Sequence, residues 1–326
     1  MMGDSSFFQR RPASSVAAVA FIVLVFLIYL SASPSTISSA SSWHENLRGA
    51  LSASAASPPW LIATISTASH MQRRQIIRSS WQTLFRNDKV FETRFVLAKP
   101  DPLWLPFIEK ENATFGDLII LDHEHEDHLW ANRVKTMEFF KYLGAKYDHA
   151  NWTFVSKMDE DSWIDAKHFW KDWLEPRIEN NNVTGTYIGR PIKNWAKWDY
   201  MSGQFYTLSR DMVKLLAKLH EENYIADEHE DVLVARLMAE AGIEYTLTEM
   251  STQVAFDYYD DKARGDGTAW APEDQDLNVL GHAMAPGALN PHMLKEDETY
   301  LRVAACYDKN GLKLRDYWSN YKATAS

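Results

Sequence analysis

The chain has 326 residues, 44 of them Asp or Glu and 34 Lys or Arg, for a formal charge of −10 at pH 7. With 46% hydrophobic and 24% charged residues it can bury a sizeable core, which excludes wholesale disorder. The acidic balance, with no block of Lys or Arg, argues against nucleic acid as a partner, and the lone Cys306 excludes an intramolecular disulfide and a cysteine-based zinc site.

Residues 1–15 carry Asp4, Arg10 and Arg11 and read as a cytoplasmic tail. A strongly apolar run from Val16 to Leu30, extended by small residues to about position 32, is near the lower limit for crossing a bilayer. A cleaved signal peptide would share the charged start and apolar centre, and Ser31-Ala32-Ser33 suits a cleavage site. The run exceeds the usual apolar core of a signal peptide, roughly 7–15 residues. Arg10 and Arg11 precede it, which keeps the N-terminus cytoplasmic. The segment 16–32 is therefore read as an uncleaved signal-anchor. Residues 33–57 are rich in Ser and Ala without sustained periodicity and read as a flexible stem, followed by one folded domain over 58–326.

That domain opens with an apolar strand, Trp60 to Ile65, and a helical pattern, QRRQIIRSSWQTLF. Strands are expected at Thr93–Lys99 and Asp117–Asp122, a helix within Trp130–Tyr147, and a buried strand at Trp152–Met158 that runs into Asp159-Glu160-Asp161. Strands alternating with helices predict an α/β fold with a largely parallel central sheet, whose ligands bind beyond the carboxyl ends of the strands. The acids stand at such an edge. Residues two apart at a strand end can face the same side, so Asp159 and Asp161 can share a hard divalent cation or a cation-bound diphosphate; a solvated acidic turn is the plain alternative. A second acidic group, Glu228, Glu230 and Asp231, opens a helix whose Val232, Leu233 and Leu237 face the core. Acids there suit the helix dipole, and Asp231 equally suits a general base.

QRRQIIRSSW resembles the R-R-x-x-I-R-x-[TS]-W segment of the β-1,3-galactosyltransferase family, which includes β-1,3-N-acetylglucosaminyltransferases and the Fringe enzymes. GDLIILDHEHEDHLWANRVKTMEFFKYL, FVSKMDEDSWID, YMSGQFYTLS and HEDVLVARL resemble that family's remaining elements, in the family order, and KEDETYLRVAACYD looks closer to fungal members. The resemblance implies a GT-A (Rossmann-like) fold with a mixed central sheet, a type II Golgi membrane protein with a luminal catalytic domain, and an inverting transfer from a UDP-sugar to a glycan hydroxyl on protein or lipid. Galactose is the first expectation, with N-acetylglucosamine or glucose as alternatives on the same framework and a silent glycan-binding member as the non-enzymatic one. It implies Asp159 beside the nucleotide ribose with Glu160 next to it, Asp161 as a ligand of Mn²⁺ or another divalent cation, and Asp231 as the catalytic base. It also implies Arg74 and Arg78, ahead of Arg73, as supports of the nucleotide site. A late histidine completes the metal set; His292, followed by Met-Leu-Lys, is preferred to His282.

Phe205 and Ala235 stand where the family carries glycines, and both are expected to reshape the acceptor side. The histidines of HEHEDH (His123 to His128) lack the spacing of a helical zinc pair and are read as a solvated loop between strand and helix. H-E-x-x-H, G-x-S-x-G and Walker-type loops are absent, which leaves zinc hydrolase, serine hydrolase and P-loop kinase without support. Of the 13 Trp, Trp195 or Trp198 is expected at the acceptor mouth and the others in packing. Sequons at Asn112, Asn151 and Asn182 fit a secretory route, with Asn151 expected to be enclosed by the strand that follows it.

Overall fold

The computed structural model describes residues 58–258 and 287–313, apart from 128, 129, 131, 149 and 244. The expected anchor, the stem and His282 lie outside the described residues. Among those residues, no helix is long and apolar enough to cross a membrane.

The chain order begins β1 (Trp60–Ile65), α1 (Met71–Ile77), β2 (Phe91–Lys99), α2 (Leu105–Phe115), β3 (Leu118–His125), α3 (Lys135–Lys146) and β4 (Phe154–Asp159). After the short α4 (Ala166–Phe169) and α5 (Glu175–Glu179) come β5 (Thr186–Ile192), β6 (Tyr200–Ser209), α6 (Arg210–Glu222), α7 (Glu230–Glu240) and β7 (Thr246–Glu249). The last elements are β8 (Ala255–Asp257), β9 (Asn290–His292), α8 (Asp297–Ala305), β10 (Tyr307–Asp308) and β11 (Gly311–Leu312).

Seven strands form one sheet in the order β3-β2-β1-β4-β6-β5-β7. β6 pairs antiparallel with both β4 and β5, while the other pairings are parallel, so the sheet is mixed, as the family resemblance implied. Side chains alternate along each strand, and the sheet is covered on both faces. Trp60, Ile62, Phe95, Phe154 and Phe205 join one core cluster. Leu61, Ala63, Val96, Val155 and Tyr206 join the other, with apolar residues of α3, α6 and α7.

Two expected elements differ in detail. The helical pattern from Gln72 breaks at Ser80, whose φ of −100° and ψ of −112° are not helical. Ser79 and Ser80 there donate hydroxyl bonds back to the carbonyls of Ile76 and Ile77, a pattern that competes with regular helix. The strand expected to stop at Asp122 continues to His125, so His123, Glu124 and His125 stand on β3 and not in a loop. Phe205 is fully buried, edge-on to Phe169 at 4.9 Å, and fills the core instead of shaping an acceptor surface. Asn151 is exposed, because the buried run begins one residue later at Trp152.

Candidate active site

β4 ends at Asp159, and a turn closed by the Ser162 amide on the Asp159 carbonyl at 3.1 Å folds Asp161 back beside it. The segment around β9 runs along this turn: Trp163 N donates to Pro291 O at 2.9 Å and Leu294 N to Asp161 O at 3.0 Å. His292 is thereby delivered to the acids from more than 130 residues away. Its Nε2 lies 3.3 Å from Asp161 Oδ1 and 3.8 Å from Asp159 Oδ2. Met293, next in the chain, adopts a left-handed φ of 62°, uncommon for a residue with a side chain.

The other imidazole nitrogen has its own partner. His292 Nδ1 is 2.6 Å from Asp257 Oδ1, and Asp257 Oδ2 accepts from Arg190 at 3.2 Å. Asp257 and His292 are register partners in the β8–β9 pair. A proton held on Nδ1 toward Asp257 leaves Nε2 free to act as a ligand, the usual carboxylate–histidine support of a metal site. Burial opposes charge on this imidazole, but Asp161 and Asp257 outweigh it and push His292 up to about 9. Burial likewise opposes charge on Asp161, yet His292 and Lys295 hold that carboxyl well below the usual range.

Asp159, Asp161 and His292 offer ligand atoms all within 4.8 Å of one another. The buried His292 Nε2 makes no well-formed hydrogen bond. Two carboxylates and an imidazole suit Mn²⁺ or a similar cation. Lys295 places its ammonium against Asp161 Oδ2 while remaining half exposed, so a cation already balances this carboxylate and can move aside. The donor set fits a divalent metal.

A second charged group adjoins the first through Lys157, a buried lysine inside β4. Its ammonium donates to Asp159 Oδ1 at 2.7 Å, to the Gly203 carbonyl at 2.6 Å and to Glu230 Oε1. Burial works against its charge, but Asp159 and Glu230 raise its pKa overall. Glu230 also accepts from Tyr206 OH at 2.9 Å; burial, with Asp231 adding to it, pushes its carboxyl up to about 7 despite Lys157. Asp231 accepts from the Gly203 amide at 3.2 Å and from the Val232 amide at 2.9 Å. Burial raises its pKa, with Lys157 opposing. Gly203 is thus the hinge point of the cluster: a β-carbon there would lie 2.8 Å from Glu230 Oε1 and 3.5 Å from Asp231 Oδ2.

The remaining expected residues have distinct places. Glu160 meets His70 Nδ1 through Oε1, beside the metal group. Arg74 and Arg78 do not join the cluster. Arg74 is fully buried and gives its donors to Ser66, Thr67, Ala68 and Glu111. Arg78 pairs with Asp117 and Glu111 and covers the Phe95 and Phe115 rings. Arg74 braces the loop after β1, while Arg78 ties the end of the first helix to Glu111 of α2 and Asp117 before β3. Arg73, ranked below them, lies nearer the chemistry. It donates to the carbonyls of Leu294 at 2.9 Å and Lys295 at 2.5 Å and pairs with Asp297, holding the segment that carries His292.

Trp195 is 70% exposed with its ring 6.5 Å from that of Tyr200, which Asp231 helps to push up to about 12, after burial. Trp198 lies under Lys197 and Arg236 and packs against Ile192, Tyr200, Val232 and Ala235. Lys157, Asp257, Arg190 and Arg73 were not singled out by the sequence for these roles. A lysine inside an otherwise buried strand was a legible signal for Lys157; the Asp257–His292 contact depends on a long-range strand pairing that no local pattern announces.

The family model described as Galactosyltransferase matches residues 72–249. No curated protein matches the sequence. Among solved structures, the galactosyltransferase LgtC in complex with donor and acceptor sugar analogs aligns over 80% of this chain and 99% of its own, at 10% identity and a TM-score of 0.44. A glycosyltransferase involved in glycosylation of the major capsid of PBCV-1 aligns over 76% and 99%, at 9% identity and a TM-score of 0.41. The bifunctional WbbM aligns over 77% of this chain and 50% of its own, at 10% identity and a TM-score of 0.47.

Proposed function

The chain belongs to the galactosyltransferase family, and on that premise we propose that it transfers a hexose, galactose in the first instance, from a UDP-sugar to a glycan hydroxyl, inverting the anomeric centre and forming a β-1,3 link on a GT-A fold. The observation that carries this reading is the junction of two acidic groups. Asp231, held by two backbone amides, is tied through Gly203 and Lys157 to Asp159 of the set Asp159, Asp161 and His292.

In the proposed reaction the acceptor oxygen forms a bond to the anomeric carbon and loses its proton to Asp231 Oδ. The bond from that carbon to the diphosphate oxygen breaks, and the electron pair leaves with UDP. A single displacement from the face opposite UDP turns an α-linked donor into a β-linked product. Burial suits Asp231 to the task, since a carboxyl of raised pKa is a stronger base than an exposed one. A divalent cation held by Asp159, Asp161 and His292 would offset the charge developing on the departing diphosphate. Lys295, released from Asp161, supplies a further positive charge at the same edge, and Trp195 offers an apolar face to the acceptor ring.

The protein is further proposed to be a single-pass type II Golgi protein anchored by residues 16–32. The apolar run and the exposed sequon residues Asn151 and Asn182 support that placement. The test of the activity is UDP release from UDP-galactose, UDP-glucose and UDP-N-acetylglucosamine with Mn²⁺ present or chelated. Release from at least one donor, abolished by chelation, is expected; no release from any donor would overturn the reading.

A further inference from the structure

The fold treats the sequons at Asn112, Asn151 and Asn182 differently. Asn112 is half-buried inside α2; its Oδ1 accepts from the Leu118 amide at 3.3 Å, and Thr114 donates its hydroxyl to the Lys110 carbonyl at 2.8 Å. Asn151 is exposed, but the buried Trp152 follows it, and the Thr153 amide is bound to the Pro59 carbonyl at 2.7 Å. Asn182 and Thr184 are both exposed in the turn between α5 and β5. Asn181 takes a left-handed φ of 52° there, and the Asn182 amide returns to the Arg177 carbonyl at 2.8 Å. The turn backbone is thus fixed while both sequon side chains face solvent.

Asn182 also lines a cleft of about 370 Å³, within the range of ligand sites, together with Asp172, Trp173, Arg177 and Thr248. Trp173 stacks on Phe169 at 6.1 Å and 8°, so one face of its indole is packed and its remaining surface lines the cleft. Arg177 donates to Thr248 Oγ1 and, at 3.4 Å, to Thr186 Oγ1, and forms no ion pair among the described residues. An aromatic surface with a fixed donor and an acceptor carboxylate beside it suits a sugar ring, which has apolar C–H faces and a rim of hydroxyls. β7, which carries Thr248, ends the seven-stranded sheet, and its Leu247 is exposed, as is Ile178 of α5. Unpaired strand edges template association between chains, and a cover blunts them.

We propose that Asn182 carries an N-linked glycan whose first sugar lies in this cleft, against Trp173 and beside Arg177, and that the glycan covers the outer edge of β7. The proposal rests on the luminal placement given above and not on the glycosyl transfer. In the modification, Asn182 Nδ2 forms a bond to the anomeric carbon of an oligosaccharide carried on a lipid diphosphate. The amide gives up one proton to a base of the separate oligosaccharide transferase. The bond from that carbon to the diphosphate oxygen breaks, and the electron pair leaves with the lipid diphosphate.

The test uses the full chain in sealed membrane vesicles. Protease protection of the domain reports its luminal placement. Peptide mass spectrometry after enzymatic deglycosylation in heavy-oxygen water marks each glycosylated asparagine as a labelled aspartate; Asn182 is expected to be labelled and Asn112 unlabelled. Trimming the glycan to its first sugar then isolates the seated residue. The trimmed protein is expected to melt about 2–4 °C above Thr184→Ala, which keeps Asn182 but removes its sequon, the shift of one modest contact in a domain of this size. Trp173→Ala and Arg177→Gln are each expected to shrink that gain, the second serving if the first does not fold. An unlabelled Asn182 in a protected domain, equal melting of the trimmed protein and Thr184→Ala, or an undiminished gain in Arg177→Gln overturns the proposal and leaves the placement standing. A domain open to protease overturns the placement and the glycan with it.

Discussion

Asp257 supports the candidate metal group from outside it. Asp257 holds His292 Nδ1 at 2.6 Å and is itself held by Arg190. Asp257→Asn keeps the volume but weakens control of the imidazole's orientation and tautomer. Its Mn²⁺ affinity is expected to fall by about 10–100-fold, the usual cost of losing such a support; calorimetric titration measures it, and an unchanged affinity would remove Asp257 from that role. Glu230 supports a second prediction, on stability. Its folded pKa, about 7, lies above the ordinary 4.5, so the folded state holds this proton more tightly than the unfolded chain. The associated stability is complete below 4.5 and is lost as pH rises toward 7. Glu230→Gln lacks this titration, so its stability relative to the unaltered protein should climb across that window and level off beyond it. Urea denaturation at a series of pH values checks this, and a flat difference would contradict it.

At the scale of elements, the site depends on β4, β6 and β5 lying close together. Gly189 on β5 faces β6 so tightly that a β-carbon would lie 2.8 Å from Met201 Cβ and 3.1 Å from Tyr206 Cβ. Those atoms sit near the backbone and cannot swing away. Gly189→Ala should therefore force the strands apart, with a loss of about 1–3 kcal/mol typical of overpacking. It should also disturb Tyr206, which donates to Glu230. Thermal unfolding measures the first effect; an unchanged Tm would show that the strands have slack. Arg73 acts between elements in a different way, linking α1 to the segment between β9 and α8 through two carbonyls and Asp297. The site is thus braced by contacts spanning more than 200 residues of chain.

For the molecule as a whole, what could be read in advance follows from how local the signals were. The buried strand β1 appears at the residues its apolar run indicated, and α7 begins with the acids Glu230 and Asp231. The resemblance implied a mixed sheet, but which strand is reversed was not readable, since a strand's direction depends on its connections and not on its composition. β3 ran on to His125 because Glu124 turns into a buried position, a polar residue that breaks the apolar pattern. Glu111 and Asp117, which hold Arg74 and Arg78 in ion pairs, are partners that no local sequence pattern announces. His292 was legible only through its motif, and Asp257 not at all.

The central claim is that residues from β4, β9 and α7 converge on one cation-assisted transfer. Its most direct test is Mn²⁺ titration in the presence of UDP, followed by paramagnetic resonance, alongside turnover, for the unaltered protein, His292→Ala and Asp231→Asn. His292→Ala is expected to lose Mn²⁺ affinity, while Asp231→Asn retains it and loses turnover by about 10²–10⁴-fold, the usual contribution of a general base. Full Mn²⁺ affinity without His292, or full turnover without the Asp231 carboxylate, would contradict the account.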